Sequence, residues 1–346
     1  IHVPFERDEG GYAYIGDQWR HGNWPYLTAV ESKPPGVFAA YALILAVHRS
    51  VMAVRLALLP LGWLAAWLFY RLLRRHFDPR VAGLGTALLA ITQTDPAYFG
   101  QSANAEMFMV PFILAAFFVG TEQTDSPVHG FGAGFLLGLA VLFKPVAATE
   151  LLPLAVWFWL TGSSIKDRLI SLLALGIGLL APILACWLLF ASVGAGSAFL
   201  FWAFGYNYSY STAFSFSDRL AVFVTQILRR QMLLRDWPLW VAAVIGLWGA
   251  IRRRQQPILL VSAVWLVSAF IGVSASGRYT AHYWQQLLPP LCLLAALGAN
   301  TFFNWLAEKH SHKAIQRLSV ALALLLLLVW PTAVQAKLYL AGPELA

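Results

Sequence analysis

Asp8 and Glu9 stand side by side in FERDEGGYAYIG (residues 5–16), followed at once by two glycines and Tyr12. An ionised carboxylate within hydrogen-bonding reach of a hydroxyl can take its proton as the oxygen attacks an electrophile. A neighbouring acid can tune such a base or hold a cation, and glycines let a substrate come close to the backbone. The same residues also suit a solvated loop entering a helix, whose N-terminus favours acids.

Four further stretches carry groups of chemical interest. In ESKPPG (31–36), Lys33 precedes two prolines, which push its backbone into an extended form. A lysine held there at an interface can bind a lipid phosphate as a point charge, or simply snorkel to headgroups. Glu106, in QSANAEMFMVPF (101–112), opens one apolar run, and Asp95 closes the run before it. Charges near membrane depth are costly and are functional candidates by default, although a helix start also accommodates Glu106. Lys144 interrupts GLAVLFKPVAATELL (138–152) as a Lys-Pro break, which reads as a re-entrant turn or, more simply, a tight hairpin, and it adds a cation for a phosphate to the face that holds the acids. SGRYTAHYWQQLLPPL (276–291) concentrates polar groups at the start of an apolar run. There Arg278 and Tyr279 suit phosphate oxygens, and His282, Tyr283 and Gln286 offer further polar groups to a bound ligand. An interfacial arginine–aromatic anchor is the structural alternative. His310 and His312 have metal-ligand spacing but sit in a basic stretch and read as solvated. HExxH, P-loop, GxSxG and Rossmann patterns are missing, so nothing points to proteolysis or nucleotide binding.

The elements that position these groups are membrane helices. Of 346 residues, 59% are hydrophobic and only 12% charged, about half the charged share of a soluble domain. The mean hydropathy is +0.65. A net charge of +8 would suggest nucleic acid in a soluble protein, but here the basic excess lies in hinges between apolar runs, so no nucleic-acid partner is expected. Cys186 and Cys292 both fall in apolar runs and read as buried free thiols.

The fold class is therefore an all-α polytopic membrane protein forming one transmembrane domain over residues 1–346. Ten spans are expected, near 53–74, 81–98, 104–121, 129–143, 146–161, 168–193, 237–251, 257–275, 283–304 and 316–337. Alternating them puts the basic stretches 71–80, 166–168, 252–256 and 308–317 on one side, which the positive-inside rule makes cytoplasmic. The hinge 121–128 falls with them although it has acids and no Lys or Arg. Residues 1–52 and the long 194–236 loop fall on the other side, with Asp8, Glu9, Glu31, Lys33, Glu106, Lys144, Arg278 and His282. Residues 34–50 and 217–231 read as interfacial helices, the second capped by Ser217 and showing an apolar face of Leu220, Phe223, Val224, Ile227 and Leu228 beside Arg229 and Arg230. The aromatic stretch 199–214 reads as a loop, either a headgroup belt or a substrate contact.

Taken in order, DEGGYAY, GNWPY, ESKPPG, SANAEMF, LFKPVA and GRYTAHYWQQLLPP resemble the membrane-integral C-type (GT-C) glycosyltransferases. Within them, the bacterial branch of the protein O-mannosyltransferase and aminoarabinose transferase group is similar over nearly the whole chain. The resemblance implies an inverting transfer of a sugar from a polyprenyl-phosphate-linked donor to a hydroxyl on the non-cytoplasmic face. The acceptor would be a glycolipid, polysaccharide or protein, and the setting a bacterial inner membrane with a periplasmic site. It also implies that Asp8 is the essential aspartate, followed by Glu9, and that Lys33, Glu106 and Arg278 match the family's lysine, later acid and late arginine. Some relatives bind a divalent metal near the phosphate, for which Glu31 and His282 are the candidate ligands. Family members begin with a helix ahead of the acidic loop, so an eleventh, N-terminal helix is expected to be missing from this sequence. A flippase or transporter of a lipid-linked sugar is the alternative reading, since intramembrane charges also line transport paths. However, no internal repeat is visible and the charges gather on one face.

Overall fold

The computed structural model describes residues 5–123, 125–230, 235–252, 256–309 and 313–340. These are mostly helical, with one isolated bridge between Pro25 and Ala29 and no strand among them. The helices α1 (Arg7–Arg20) and α2 (Gly36–Val47) precede α3 (Val51–His76), α4 (Pro79–Gln93), α5 (Ala105–Gly120) and α6 (Pro127–Val141). A 3-10 segment, Pro145–Glu150, runs into α7 (Leu151–Thr161), and α8 (Ile165–Ser192) follows. Next come α9 (Gly196–Leu200), a π turn (Phe201–Gly205), α10 (Tyr206–Thr212) and α11 (Phe216–Arg230). After α12 (Trp237–Arg252) and α13 (Pro257–Ser274), a second 3-10 segment, Ala281–Gln286, leads into α14 (Leu288–Lys309). The last helices, α15 (Lys313–Leu324) and α16 (Trp330–Leu340), are joined by a π turn.

Each expected span holds a helix. Val51–His76, Ile165–Ser192, Pro257–Ser274, Leu288–Lys309 and Gln316–Lys337 are long and apolar enough to cross a membrane. Several boundaries shift for local reasons. α4 stops at Gln93 because Asp95 precedes Pro96, where the helical region is disfavoured. The expected span from 283 begins as an α-helix only at Leu288, after the 3-10 segment. The stretch 199–214, expected as a loop, is helical as far as Thr212. α11 begins one residue before the expected cap, Ser217: Ser215 and Asp218 cap it instead, the hydroxyl accepting the Asp218 N–H at 3.2 Å and the carboxylate accepting the Ser215 N–H at 3.1 Å. On its apolar face Phe223 packs inward, while Leu220 and Val224 are exposed. The side chains of residues 227–230, the 253–255 stretch and His310 and His312 lie outside the described residues.

The helices close on one another through small residues. Gly130, Gly134 and Gly138 repeat every fourth residue on α6 and face α8; a Cβ on Gly130 would stand 2.7 Å from the Ser171 carbonyl oxygen. Gly246 on α12 and Gly298 on α14 meet in the same way. Outward, Leu173, Ile177, Leu180, Leu184 and Leu188 leave one apolar stripe of α8 uncovered, as lipid contact requires and water would penalise. The hinges sort to two ends of the bundle. At one end, Arg75 pairs with Glu122 at 3.5 Å and Asp125 accepts the Ser163 N–H at 2.8 Å, joining three of the hinges that alternation puts on one side. At the other end, α1, α2 and the starts of α5 and α9 enclose an aromatic cluster that includes Tyr12, Tyr26, Phe38, Tyr41, Phe190 and Phe199.

Candidate active site

Asp8 and Glu9 occupy the first turn of α1, started by Glu6: its carboxylate accepts the Asp8 N–H at 3.0 Å, and Glu9 accepts the Glu6 N–H at 2.9 Å. Successive helical residues point about 100° apart, so the two acids diverge. Asp8 faces a cavity of about 400 Å³ and pairs with the exposed Arg7 at 3.2 Å. Glu9 turns inward and is wholly buried. It pairs with Arg55 (Oε2 to Nη2, 2.7 Å) and accepts the Ala103 N–H at 2.7 Å. Arg55 donates in addition to the Gln101 carbonyl at 2.6 Å.

α1 is pressed onto α2 at Gly16, where a Cβ would lie 2.9 Å from the Phe38 carbonyl oxygen. That contact aligns Asp8 with the segment before α2. The Tyr26 hydroxyl donates to the Lys33 carbonyl at 2.6 Å, fixing the lysine's backbone. Immediately after the prolines, Gly36 donates its N–H to the Leu142 carbonyl at 2.9 Å; a Cβ there would stand 2.6 Å from the same oxygen. The Lys33 segment is thus tied to the chain just ahead of Lys144, and both lysines line the cavity.

Lys144 pairs with the buried Glu106, and its Nζ lies 3.4 Å from the centre of the Tyr283 ring. His282 Nε2 is 4.0 Å from Glu106 Oε1. Burial holds the His282 imidazole at about 4, against the pull of Glu106, so it is neutral at pH 7. Lys33 moves the other way: burial disfavours its charge, but Glu31, Tyr283 and the acids Asp8 and Glu106 raise its pKa above the ordinary lysine value. Lys33 Nζ is 3.8 Å from Glu31.

A wall of α10 completes the cavity with Tyr206, Asn207, Tyr210 and Ser211. Asn207 donates to the Ser32 carbonyl at 2.5 Å, joining this wall to the lysine segment. Arg278 stacks behind the wall, 4.0 Å above the Tyr210 ring and 5.0 Å from Phe214. Arg219, on α11, donates to the carbonyls of Ser274 and Ala275 at 3.2 Å and of Phe214 at 3.3 Å, and to Ser211. It fastens the wall to the end of α13.

The structure therefore brings Asp8, Glu31, Lys33, Lys144, His282 and Tyr283 to one cavity, with Glu106 and Arg278 directly behind its lining. Three expected site residues lie elsewhere. Glu9 spends its oxygens on Arg55 and two backbone N–H groups. Tyr279 packs its ring 4.9 Å from Phe223 in the apolar core. Gln286 donates to Glu150 at 2.7 Å and Thr149 at 3.0 Å, behind the cavity wall. Among the described residues no three His, Cys, Asp or Glu side chains are grouped to hold a metal ion. Glu31 and His282 share the cavity, but Glu31 Oε1 already receives the Ser32 N–H and hydroxyl and faces Lys33. That donor set does not fit a divalent cation. Sequence reasoning missed Arg55, Arg219 and Glu150. A charge inside an apolar run was the available signal for Arg55.

Residues 32–187 match the family model described as dolichyl-phosphate-mannose-protein mannosyltransferase. No curated protein matches the chain in sequence. In fold, the chain is similar to ArnT from Cupriavidus metallidurans bound to undecaprenyl phosphate, with a TM-score of 0.67 at 17% identity over 97% of this chain and 71% of that one. It is also similar to the Archaeoglobus fulgidus oligosaccharyltransferase tethered with an acceptor peptide (TM-score 0.57, 15% identity, 95% of this chain and 50% of that one). The archaeal oligosaccharyltransferase AglB from Archaeoglobus fulgidus, in complex with an inhibitory peptide and a dolichol-phosphate, gives 0.55 at 14% identity over 97% of this chain and 52% of that one. The chain thus spans about half the length of the oligosaccharyltransferase structures. The motif order, the family-model match over 32–187 and the shared helical fold together relate this chain to the C-type (GT-C) glycosyltransferases.

Proposed function

We propose that this chain crosses the membrane ten times and transfers a sugar, with inversion, from a polyprenyl-phosphate donor to a hydroxyl of a glycolipid, polysaccharide or protein. The site lies at the non-cytoplasmic face, in a bacterial inner membrane facing the periplasm. The observation that carries this reading is one cavity with a carboxylate, Asp8, on one wall and two lysines, Lys33 and Lys144, on others. The acceptor oxygen attacks the anomeric carbon as the bond from that carbon to the phosphate oxygen breaks. Asp8 takes the hydroxyl proton, and the polyprenyl phosphate leaves with the bonding pair. Lys33 and Lys144 face the charge that develops on the leaving phosphate, in a pocket shielded from bulk water, where fixed charges act most strongly. Arg278 adds positive potential through Tyr210, and Glu106 holds Lys144 in place. His282 and Tyr283 face the sugar or the acceptor. Bound structures of similar fold carry undecaprenyl phosphate or dolichol-phosphate, which is the donor-lipid chemistry this reading requires.

A transporter would place its charges between spans near the membrane midplane. Here the cavity groups come from helix ends and connections: the first turn of α1, the segments before α2 and α14, and the α6–α7 break. The test is donor consumption in proteoliposomes, using polyprenyl phosphates carrying labelled sugars, with wild type and Asp8→Asn. Sugar release by wild type, reduced about 10²–10⁴-fold in the variant, is expected. Intact donor crossing the bilayer with its sugar attached would overturn the transferase in favour of the flippase.

A further inference from the structure

Gln286 and Glu150 stand at the far ends of the two 3-10 segments whose near ends carry the cavity groups. One segment follows Lys144 and ends at Glu150; the other contains His282 and Tyr283 and ends at Gln286. The Gln286 amide nitrogen lies 2.7 Å from Glu150 Oε1, 3.0 Å from Thr149 Oγ1 and 3.4 Å from the Val146 carbonyl oxygen. One side chain thus joins the two segments at three points. Glu150 is wholly buried and has a side-chain amide as its partner where an apolar bundle would ordinarily demand a cation or no acid at all. The Ser268 hydroxyl of α13 donates to the Thr149 carbonyl and braces the same spot. Gly272 of α13 lines the cavity, and a Cβ there would stand 2.7 Å from the Gln286 amide nitrogen and 3.0 Å from Thr149 Oγ1. The cavity wall is therefore only one glycine thick over this pair.

We propose that Gln286 and Glu150 form a clasp that sets the position of Lys144 against Glu106 and Tyr283. They are positioning residues, with no contact to substrate. The inference rests on reading this cavity as the transfer site. Each 3-10 residue advances about 2 Å, so the clasp acts across short, stiff segments rather than through a flexible loop. A displacement of about 1 Å at a reacting group costs on the order of 10²-fold in rate. The clasp needs a hydrogen-bond acceptor at position 150 and does not need a charge there.

The experiment compares Gln286→Leu, Glu150→Leu, the double leucine variant and Glu150→Gln. Two quantities are read: kcat and KM for donor consumption, and the rate at which acetic anhydride acetylates Lys144, followed by mass spectrometry. In both single leucine variants kcat falls about 10²-fold with KM little changed, and Lys144 acetylation rises because the amine is released from Glu106. Glu150→Gln keeps an acceptor and stays near wild type on both readouts. The double variant replaces a buried polar pair by an apolar one, which proteins commonly tolerate, and loses no more kcat than either single change. Wild-type kcat and Lys144 reactivity in a folded double variant would overturn the clasp. So would a Glu150→Gln loss as deep as that of Glu150→Leu, which would mean that the charge matters. If wild type consumes no donor, the transferase reading fails separately, and Lys144 acetylation alone decides the clasp: a rise in the leucine variants upholds it and an unchanged rate rejects it.

Discussion

Replacing Glu9 by alanine separates architecture from chemistry at the acidic pair. The substitution removes the partner of Arg55 and the acceptor of two backbone N–H groups, those of Ala103 and Glu6. Glu9 is fully buried and Arg55 is about 10% exposed, so the ion pair is an interior one. Removing one partner from such a pair costs about 3–5 kcal/mol, because the remaining charge keeps its desolvation penalty. The cost stays toward the lower part of that range, since Arg55 still donates to the Gln101 carbonyl. At about 2 °C per kcal/mol for a chain of this size, Tm falls by about 6–8 °C. Asp8→Asn is the control on the neighbouring residue. The Asp8 partner, Arg7, is 90% exposed, and such a surface pair contributes about 0–1 kcal/mol, so Tm moves by no more than about 2 °C.

Thermal melts in detergent, paired with turnover per folded molecule, read both effects. The expected pattern is crossed: Glu9→Ala loses stability and keeps most of its turnover, while Asp8→Asn keeps stability and loses turnover. A Glu9→Ala protein that melts like wild type and yet turns over about 10³-fold more slowly would refute the reasoning, making Glu9 a chemical group after all.

Gly16→Ala forces a Cβ against the backbone of α2, 2.9 Å from both Phe38 O and Ala42 N, and should cost about 1–3 kcal/mol in melts, whereas Gly62→Ala on α3, with open space around it, should be neutral or stabilising. Equal effects at the two sites would remove the close α1–α2 approach as the reason for glycine. Arg219→Gln loses the charged fan that fastens the α10 wall to α13. The donor KM should rise about tenfold, the equivalent of one charge-assisted hydrogen bond or so, and limited proteolysis should open residues 206–216. Unchanged cleavage there would show that the wall stands without Arg219.

The helices were legible because membrane burial leaves long apolar runs with basic ends, a signal that survives without any tertiary information. Asp8, Lys33, Lys144 and His282 could be grouped from their order alone, since alternating spans bring every second hinge to the same end. What the sequence could not convey was direction. Asp8 and Glu9 are neighbours in the chain, yet the turn of α1 sends one to the cavity and the other to Arg55. Gln286 lies one 3-10 turn beyond Tyr283 and so points the same way, but about 6 Å further along the segment it meets Thr149 and Glu150 behind the wall that Tyr283 lines. Residues 199–214 carry the Tyr, Asn and Ser mixture of a loop, and helix propensity there is poor; packing against α8 and the lysine segment makes them helical all the same.

The charge balance around the cavity bears on which lysine meets a phosphate. Asp8, Glu31 and Glu106 oppose Arg7, Lys33 and Lys144, so the walls are close to neutral before any ligand arrives. Within that balance the pairing is uneven. Glu106 and the Tyr283 ring hold Lys144 in direct contact, whereas Lys33 stands 3.8 Å from a carboxylate oxygen already receiving two hydrogen bonds from Ser32. An incoming phosphate gains more from Lys33, because it need not displace a contact ion pair to reach the ammonium. It also relieves the repulsion between the two lysines, which weakens as soon as a shared anion lies between them. In the proposed transfer, the sugar's departure would leave more negative charge on that phosphate than the intact donor carried. On the proposed reading, a site whose more loosely paired lysine is Lys33, with Arg278 one ring away, would bind the transition state more tightly than the ground state, and that difference is what accelerates a transfer.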